Sequence, residues 1–217
     1  MAASRRFVAA ITNMLGPRAA HRFVPVVALA ALLVPGRAEA HLVNTGFGPF
    51  YDGISHLFVT APDLLVVVAL ALLAGLRGGA TTRGTLLAVI AAWALGGIAG
   101  LLLAPAVVWT AITTGSFLLL GALLAADREL PTAVVVGLGT VVGLIHGFLN
   151  GAESAASDIG FVGLLGSLAA LAVLATLMSA TAISLAQGWT RIAVRVAGSW
   201  IAAIGILMLG WLFRPGA

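Results

Sequence analysis

Six long apolar runs, separated by short breaks with charged residues, Gly or Pro, follow one another along most of the chain. They cover residues 54–76, 84–103, 106–126, 131–152, 161–185 and 193–213. A helix needs about 20 apolar residues to cross a hydrocarbon core of about 30 Å. The pattern therefore predicts an all-α membrane protein, in which residues 41–217 form a single bundle of six transmembrane helices.

Residues 1–40 have the pattern of a cleaved signal peptide. Arginines precede an apolar run at 23–34, a Pro-Gly break follows at 35–36, and Ala-Glu-Ala at 38–40 supplies a small-x-small cleavage site. The apolar run is short for a membrane span. We therefore expect a mature N-terminus at His41, which would carry a free amino group beside its imidazole. An uncleaved first helix is the alternative.

The composition agrees with a membrane protein, since 61% of the residues are hydrophobic and 8% are charged, whereas soluble domains have about 25% charged residues. Cysteine is absent, so a metal site in this chain would use His, carboxylate or amide ligands. The net charge of +4 resides in the leader, where five arginines face one glutamate. The remainder is neutral, so we expect no nucleic-acid partner.

Arginines mark alternate connections between the predicted spans. The first, third and fifth connections carry Arg77, Arg83, Arg128, Arg191 and Arg195. The opposite side carries Arg214 alone. By the positive-inside rule, the arginine-bearing loops are cytoplasmic and both mature termini lie outside. For a bacterial inner-membrane protein, this places the termini in the periplasm.

Polar side chains form a stripe at the far end of the fourth span. His146, Asn150 and Glu153 stand at i, i+4 and i+7, which is one face of a helix. Glycines repeat every four residues from 143 to 151 on a neighbouring face, so a second helix can approach closely there. This pattern favours an intramembrane binding site, and hydrogen bonding between helices is the alternative.

The first span also carries polar groups, His56 and Asp63, seven residues apart and on one face if the helix is continuous. An isolated Asp within a membrane costs about 2.5 to 3.5 kcal/mol, so Asp63 needs a partner or water. Since the first span descends from outside and the fourth ascends, we expect Asp63 or His56 to face His146. The alternative is a helix that begins at Pro62 and Asp63, which leaves 56–61 re-entrant.

These residues resemble the motifs of the HupE/UreJ family of small nickel or cobalt permeases. The fourth span carries His-Gly-x-x-x-Gly-x-Glu from His146 to Glu153, and the first carries Gly-x-x-His ending at His56, with Asp63 after it. The resemblance covers most of the predicted mature chain and implies a leader, six spans and transport of a divalent metal.

The chain departs from the family pattern at several positions. The first motif usually reads His-Pro-x-x-Gly-x-Asp-His, whereas here Leu57 and Leu64 replace the Pro and the second His, and the His-to-Asp spacing is one residue longer. The second His of the fourth-span motif is Asn150.

The resemblance implies a permease for Ni²⁺ or Co²⁺, not an enzyme, and the chain contains no phosphate loop for ATP hydrolysis. The metal is expected as transported substrate rather than as a tightly bound cofactor. The candidate ligands are His56, Asp63, His146 and Glu153, together with His41, Asn150 and Asp52. The alternative is a non-transporting assembly or metal-sensing protein on the same scaffold, with metalloenzyme maturation proteins or a second copy as partners.

Overall fold

The structure is a computed structural model, and it describes residues 44–103 and 109–214. Within those ranges all regular structure is helical. The helices are α1 (Pro49–Val59), α2 (Ala61–Leu76), α3 (Gly79–Leu103), α4 (Thr110–Ala126), α5 (Thr132–Ala156), α6 (Gly160–Ser184) and α7 (Gly188–Leu212). The predicted signal peptide and His41 lie outside the described residues.

Four of the described helices, α3, α5, α6 and α7, have 25 residues each and are long and apolar enough to cross a membrane. The pair α1 and α2 passes the same test together, and α4 is a shorter apolar helix of 17 residues. Large apolar side chains such as Leu87, Leu102 and Leu207 are exposed on the outside of the bundle, where a soluble protein would carry polar groups. The protein is therefore a multi-pass membrane protein.

The structure of the first span differs from the prediction. The expectation of one continuous helix over 54–76, with Asp63 two turns inside it, is wrong because the chain bends by 74° between α1 and α2. Thr60 is extended at the bend (φ −84°, ψ 94°), and Pro62 lies in the first turn of α2. Proline is tolerated there but not in a helix interior, since it lacks an N–H and clashes with the preceding turn. Asp63 therefore lies in the first turn of α2, close to where the alternative placed it.

Three arginines assigned to loops by the sequence lie inside helices. Arg83 belongs to α3, and Arg191 and Arg195 belong to α7. Arginine is a good helix former and its long side chain reaches the end of the membrane from within a helix. The starts predicted for these two spans, residues 84 and 193, are therefore about five residues later than the observed starts of α3 and α7.

Helix α2 is the centre of the bundle, because it contacts each of the other six described helices. Most of its residues are buried, and Val66, Ala69, Leu73 and Ala74 have no exposed surface. The polar groups at its two ends are Asp63 at the start and Arg77 directly after the last turn. The side chains of both residues are almost fully buried among the other helices.

The predicted close approach at the glycine stripe of α5 is confirmed, and its partner is α3. A Cβ atom on Gly151 would overlap the carbonyl oxygen of Gly97, and one on Gly147 would overlap the backbone of Trp93. Only glycine lets the two backbones come this close. This packing brings the indole of Trp93 onto His146.

Candidate functional site

The start of α2 meets the middle of α5 through a pair of short polar contacts. Asp63 Oδ1 lies 2.6 Å from His146 Nδ1, and the Asn150 amide donates to Asp63 Oδ2 at 2.6 Å. All three residues are buried. The predicted contact between the first and fourth spans is therefore confirmed. The position of Asp63 in the first turn also places its carboxylate at the positive end of the α2 dipole.

The second nitrogen of His146 is held from α4. His146 Nε2 lies 2.8 Å from Ser116 Oγ, and Ser116 donates to the carbonyl of Thr113 at 2.7 Å. The imidazole also stacks on Trp93, with ring centroids 5.8 Å apart. Both ring nitrogens are thus engaged, so a metal ion can bind His146 only by displacing Ser116 or Asp63.

Helix α1 contributes the third ionisable group. His56 Nε2 lies 3.9 Å from Asp63 Oδ2 and 3.4 Å from Glu153 Oε2. The Glu153 side chain is 37% exposed, whereas those of His56 and Asp63 are 8% and 6% exposed. Glu153, His56, Asp63 and His146 therefore form a continuous line of contacts from an accessible end to a buried one.

A model of the HupE / UreJ protein family matches residues 29–208, which is 180 of the 217 residues. This chain belongs to the HupE/UreJ family. Members of the family are nickel- or cobalt-related membrane proteins of a transporter type rather than enzymes. A search of curated proteins and a search of solved structures each found no match.

Of the predicted ligands of this HupE/UreJ protein, five lie together in one cluster: His56, Asp63, His146, Asn150 and Glu153. Asp52 is not among them. It lies in the first turn of α1, and its carboxylate accepts hydrogen bonds from the backbone N–H and the hydroxyl of Thr45 at 2.7 and 2.6 Å.

Within 44–103 and 109–214, no three His, Asp or Glu side chains already converge in an arrangement that could hold a metal ion. The side chains bond to one another instead. One oxygen in the cluster is different, because Asn150 Oδ1 is buried and has no hydrogen-bond partner among the described residues. A buried amide oxygen left unbonded is costly and is a suitable ligand for a hard or borderline cation.

Sequence reasoning missed Ser116 and Trp93 as members of the site. Ser116 lies on α4 in a stretch with several Thr and Ser residues, which are ordinary in membrane helices. Trp93 is fully buried, and its Nε1 has no hydrogen-bond partner in the described part of the chain. A tryptophan in the middle of a membrane span, away from the interfacial belts where it is most common, was the available signal.

Proposed function

We propose that this HupE/UreJ protein is a permease that carries a divalent transition-metal ion, Ni²⁺ or Co²⁺, across the bacterial inner membrane. The observation that carries the proposal is the line of contacts from Glu153 through His56 and Asp63 to His146. Each step is shorter than 4 Å. An ion that enters at the exposed carboxylate can exchange one ligand for the next without crossing apolar surface.

The ligand chemistry suits such an exchange. Imidazole nitrogens bind Ni²⁺ and Co²⁺ well, and the carboxylates of Asp63 and Glu153 supply two negative charges for a doubly charged ion. At each step the metal would replace a hydrogen bond between two side chains. Sites that bind loosely and exchange readily favour conduction over storage. The ion is cargo, and we propose no tightly bound cofactor.

The proposed topology has six spans, with α1 and α2 together as the first and α4 as the third, and both mature termini in the periplasm. Two observations support it. Asp127 accepts hydrogen bonds from both Arg77 and Arg191 at one end of the bundle, and the three residues come from the three arginine-bearing connections. Glu153 lies near the end of α5, whereas Asp127 lies just before that helix begins. The cluster of candidate ligands therefore lies near the opposite end of the bundle, which is periplasmic in the proposed topology.

Metal-resolved uptake tests the proposal. We expect cells that express the protein to accumulate more ⁶³Ni or ⁵⁷Co than cells with an empty vector, with uptake that saturates as metal concentration rises. Expression of the His146→Ala variant at equal membrane abundance is the control. Equal accumulation with and without the protein, for every divalent metal tried, would instead favour a non-transporting assembly or sensing protein on the same scaffold.

Position 150 tests how the ligands set metal preference. Asn150→His keeps an N–H that can donate to Asp63 and adds an imidazole nitrogen. We expect it to shift the metal preference towards Ni²⁺, which binds imidazole well, and away from Mn²⁺. Leu64→His in the same chain should strengthen the shift. The measurement is inhibition of ⁶³Ni uptake by unlabelled Mn²⁺.

Asn150→Ala is the matched control for this prediction, because it removes the hydrogen bond to Asp63 Oδ2 without adding a ligand. It should lower uptake of both metals without the gain for Ni²⁺ that the added imidazole nitrogen gives. If Asn150→His and Asn150→Ala have the same effect on inhibition by Mn²⁺, residue 150 does not contribute a ligand.

A further inference from the structure

A narrow crevice lies between α2, α3 and α6, next to the cluster of candidate ligands. The space inside it that a water molecule can occupy is about 10 Å³, room for about one water. Its walls include Val67 and Ala74 from α2, Thr85 and Val89 from α3, and Ala175 from α6. The wall is apolar except for hydroxyl groups, and the Thr85 hydroxyl is buried without a hydrogen-bond partner among the described residues.

The crevice begins where the cluster ends. Val67 is one helical turn beyond Asp63 on α2, and Val89 is one turn from Trp93, the residue that stacks on His146. At the other end, the Ala74 carbonyl accepts a hydrogen bond from the Arg77 N–H at 3.1 Å. The crevice therefore lies against residues 67–74 of α2, between Asp63 and Arg77, which are roughly 21 Å apart along the helix.

Ion pairs close the far end of α2. Arg77 Nη2 donates to Asp127 Oδ1 at 3.0 Å, and Arg191 donates to both oxygens of Asp127 at 2.6 and 2.9 Å. This cluster, the Arg77–Asp127–Arg191 latch, joins the ends of α2 and α4 to the first turn of α7. The hydrogen bond from Arg191 holds the pKa of Asp127 below its usual range, so the carboxylate stays charged at neutral pH.

The latch is unfavourable to a cation as it stands. Arg195 also acts electrostatically on Asp127, and Glu129 acts on Arg191. Three guanidinium groups thus face two carboxylates, and the net positive charge repels a divalent ion that approaches from the crevice. Arg77 is itself incompletely bonded, since its side chain is 7% exposed and its Nε has no hydrogen-bond partner among the described residues. An unsatisfied buried donor raises the free energy of the closed arrangement and lowers the cost of leaving it.

We propose that the crevice is the closed inner half of the metal path and that the Arg77–Asp127–Arg191 latch is its cytoplasmic gate. The inference rests on the proposed transport function and adds the route from the cluster to the cytoplasm. When Arg77 leaves Asp127, the inner end of α2 is released, the crevice widens and water enters it. The unbonded Thr85 hydroxyl then supplies an oxygen to the hydrated ion.

Cysteine labelling tests the route, because the chain contains no native cysteine. A cysteine is introduced at Ala175, on the crevice wall, and a charged, membrane-impermeant methanethiosulfonate reagent is applied to the cytoplasmic face in inside-out vesicles. Val173→Cys is the matched control, since Val173 lies two residues away on the same helix but is 60% exposed on the outside of the bundle. A thiol that faces lipid is not ionised and does not react.

Both cysteines are then combined with Asp127→Asn, which breaks the latch, and with Arg128→Gln, which removes a charge from an exposed side chain in the same loop that belongs to no ion pair among the described residues. We expect Asp127→Asn to speed labelling of Ala175→Cys about tenfold, the effect of losing a partly buried ion pair. Arg128→Gln should leave the rate unchanged, and Val173→Cys should stay unreactive. Arg77→Gln is the second latch variant if Asp127→Asn fails to fold.

The inference is overturned if Ala175→Cys is as unreactive as Val173→Cys in both latch variants while the parent chain takes up metal. It is also overturned if Arg128→Gln speeds labelling as much as Asp127→Asn does. Metal uptake by the cysteine variants is measured in parallel. Absence of uptake by the parent chain is a separate result, which refutes the proposed function and not the accessibility of the crevice.

Discussion

Asp63→Asn is expected to lower metal uptake about a hundredfold or more, although the substituted side chain has nearly the same shape. Asp63 connects both halves of the cluster, because its two oxygens contact His146, Asn150 and His56. Truncating one member of a buried, hydrogen-bonded charged pair costs about 2 to 5 kcal/mol, and each 1.4 kcal/mol is a factor of about ten. The substitution also removes one of the two charges that neutralise the ion. Initial rates of ⁶³Ni uptake measure the effect.

The matched control is Asp158→Asn, five residues beyond Glu153. Asp158 is exposed and has a positive φ of 57°, a backbone conformation that asparagine also adopts readily. This variant loses the same charge at the same end of the bundle and should transport at the parental rate. Transport by Asp63→Asn or His146→Ala at the parental rate, in protein that inserts normally, would contradict the proposed path.

Gly151→Ala is expected to have the largest effect on folding. The added Cβ would overlap the Gly97 carbonyl oxygen, which belongs to the α3 backbone and cannot rotate away as a side chain would. Overpacking of this kind costs about 1 to 3 kcal/mol and sometimes more. We expect a lower Tm of the detergent-solubilised protein, or loss of the monodisperse fraction in size-exclusion chromatography. Metal uptake should fall with it, since α3 places Trp93 against His146.

Gly137→Ala on the same helix separates this effect from the general cost of alanine. A Cβ on Gly137 would meet no atom within 4 Å, and alanine favours a helix over glycine by about 1 kcal/mol. Its Tm should therefore equal or exceed that of the parent. If the two variants unfold at the same temperature, the contact between α3 and α5 does not limit stability.

The helical repeat explains why part of the site could be predicted from the sequence. His146, Asn150 and Glu153 lie on one helix, and spacing alone determines that they share a face. The approach of a second helix followed from glycines at every fourth position. The partner of that face was harder to find, and the pairing with Asp63 came from the cost of an isolated charge in a membrane.

The remaining features depend on tertiary packing. Pro62 marked the break in the first span, but hydropathy continues smoothly through Thr60, so an apolar window cannot detect a 74° bend. Ser116 enters the site only because α4 lies beside α5, and no periodicity within α4 indicates its neighbour. Likewise, the pairing of Arg77 and Arg191 with Asp127 follows from the packing of three helix ends and not from any spacing in the sequence.

The length of α4 has a consequence for the lipid environment. Its 17 described residues are about 26 Å long, less than the roughly 30 Å of an average hydrocarbon core. In the proposed six-span arrangement, the bilayer would thin around this short helix, at a cost that grows with each additional ångström of mismatch. Ser116, which orients the His146 ring, lies near the middle of this helix. In that arrangement, the acyl-chain length of the lipids is expected to act on α4, the helix that holds Nε2 of His146 through Ser116.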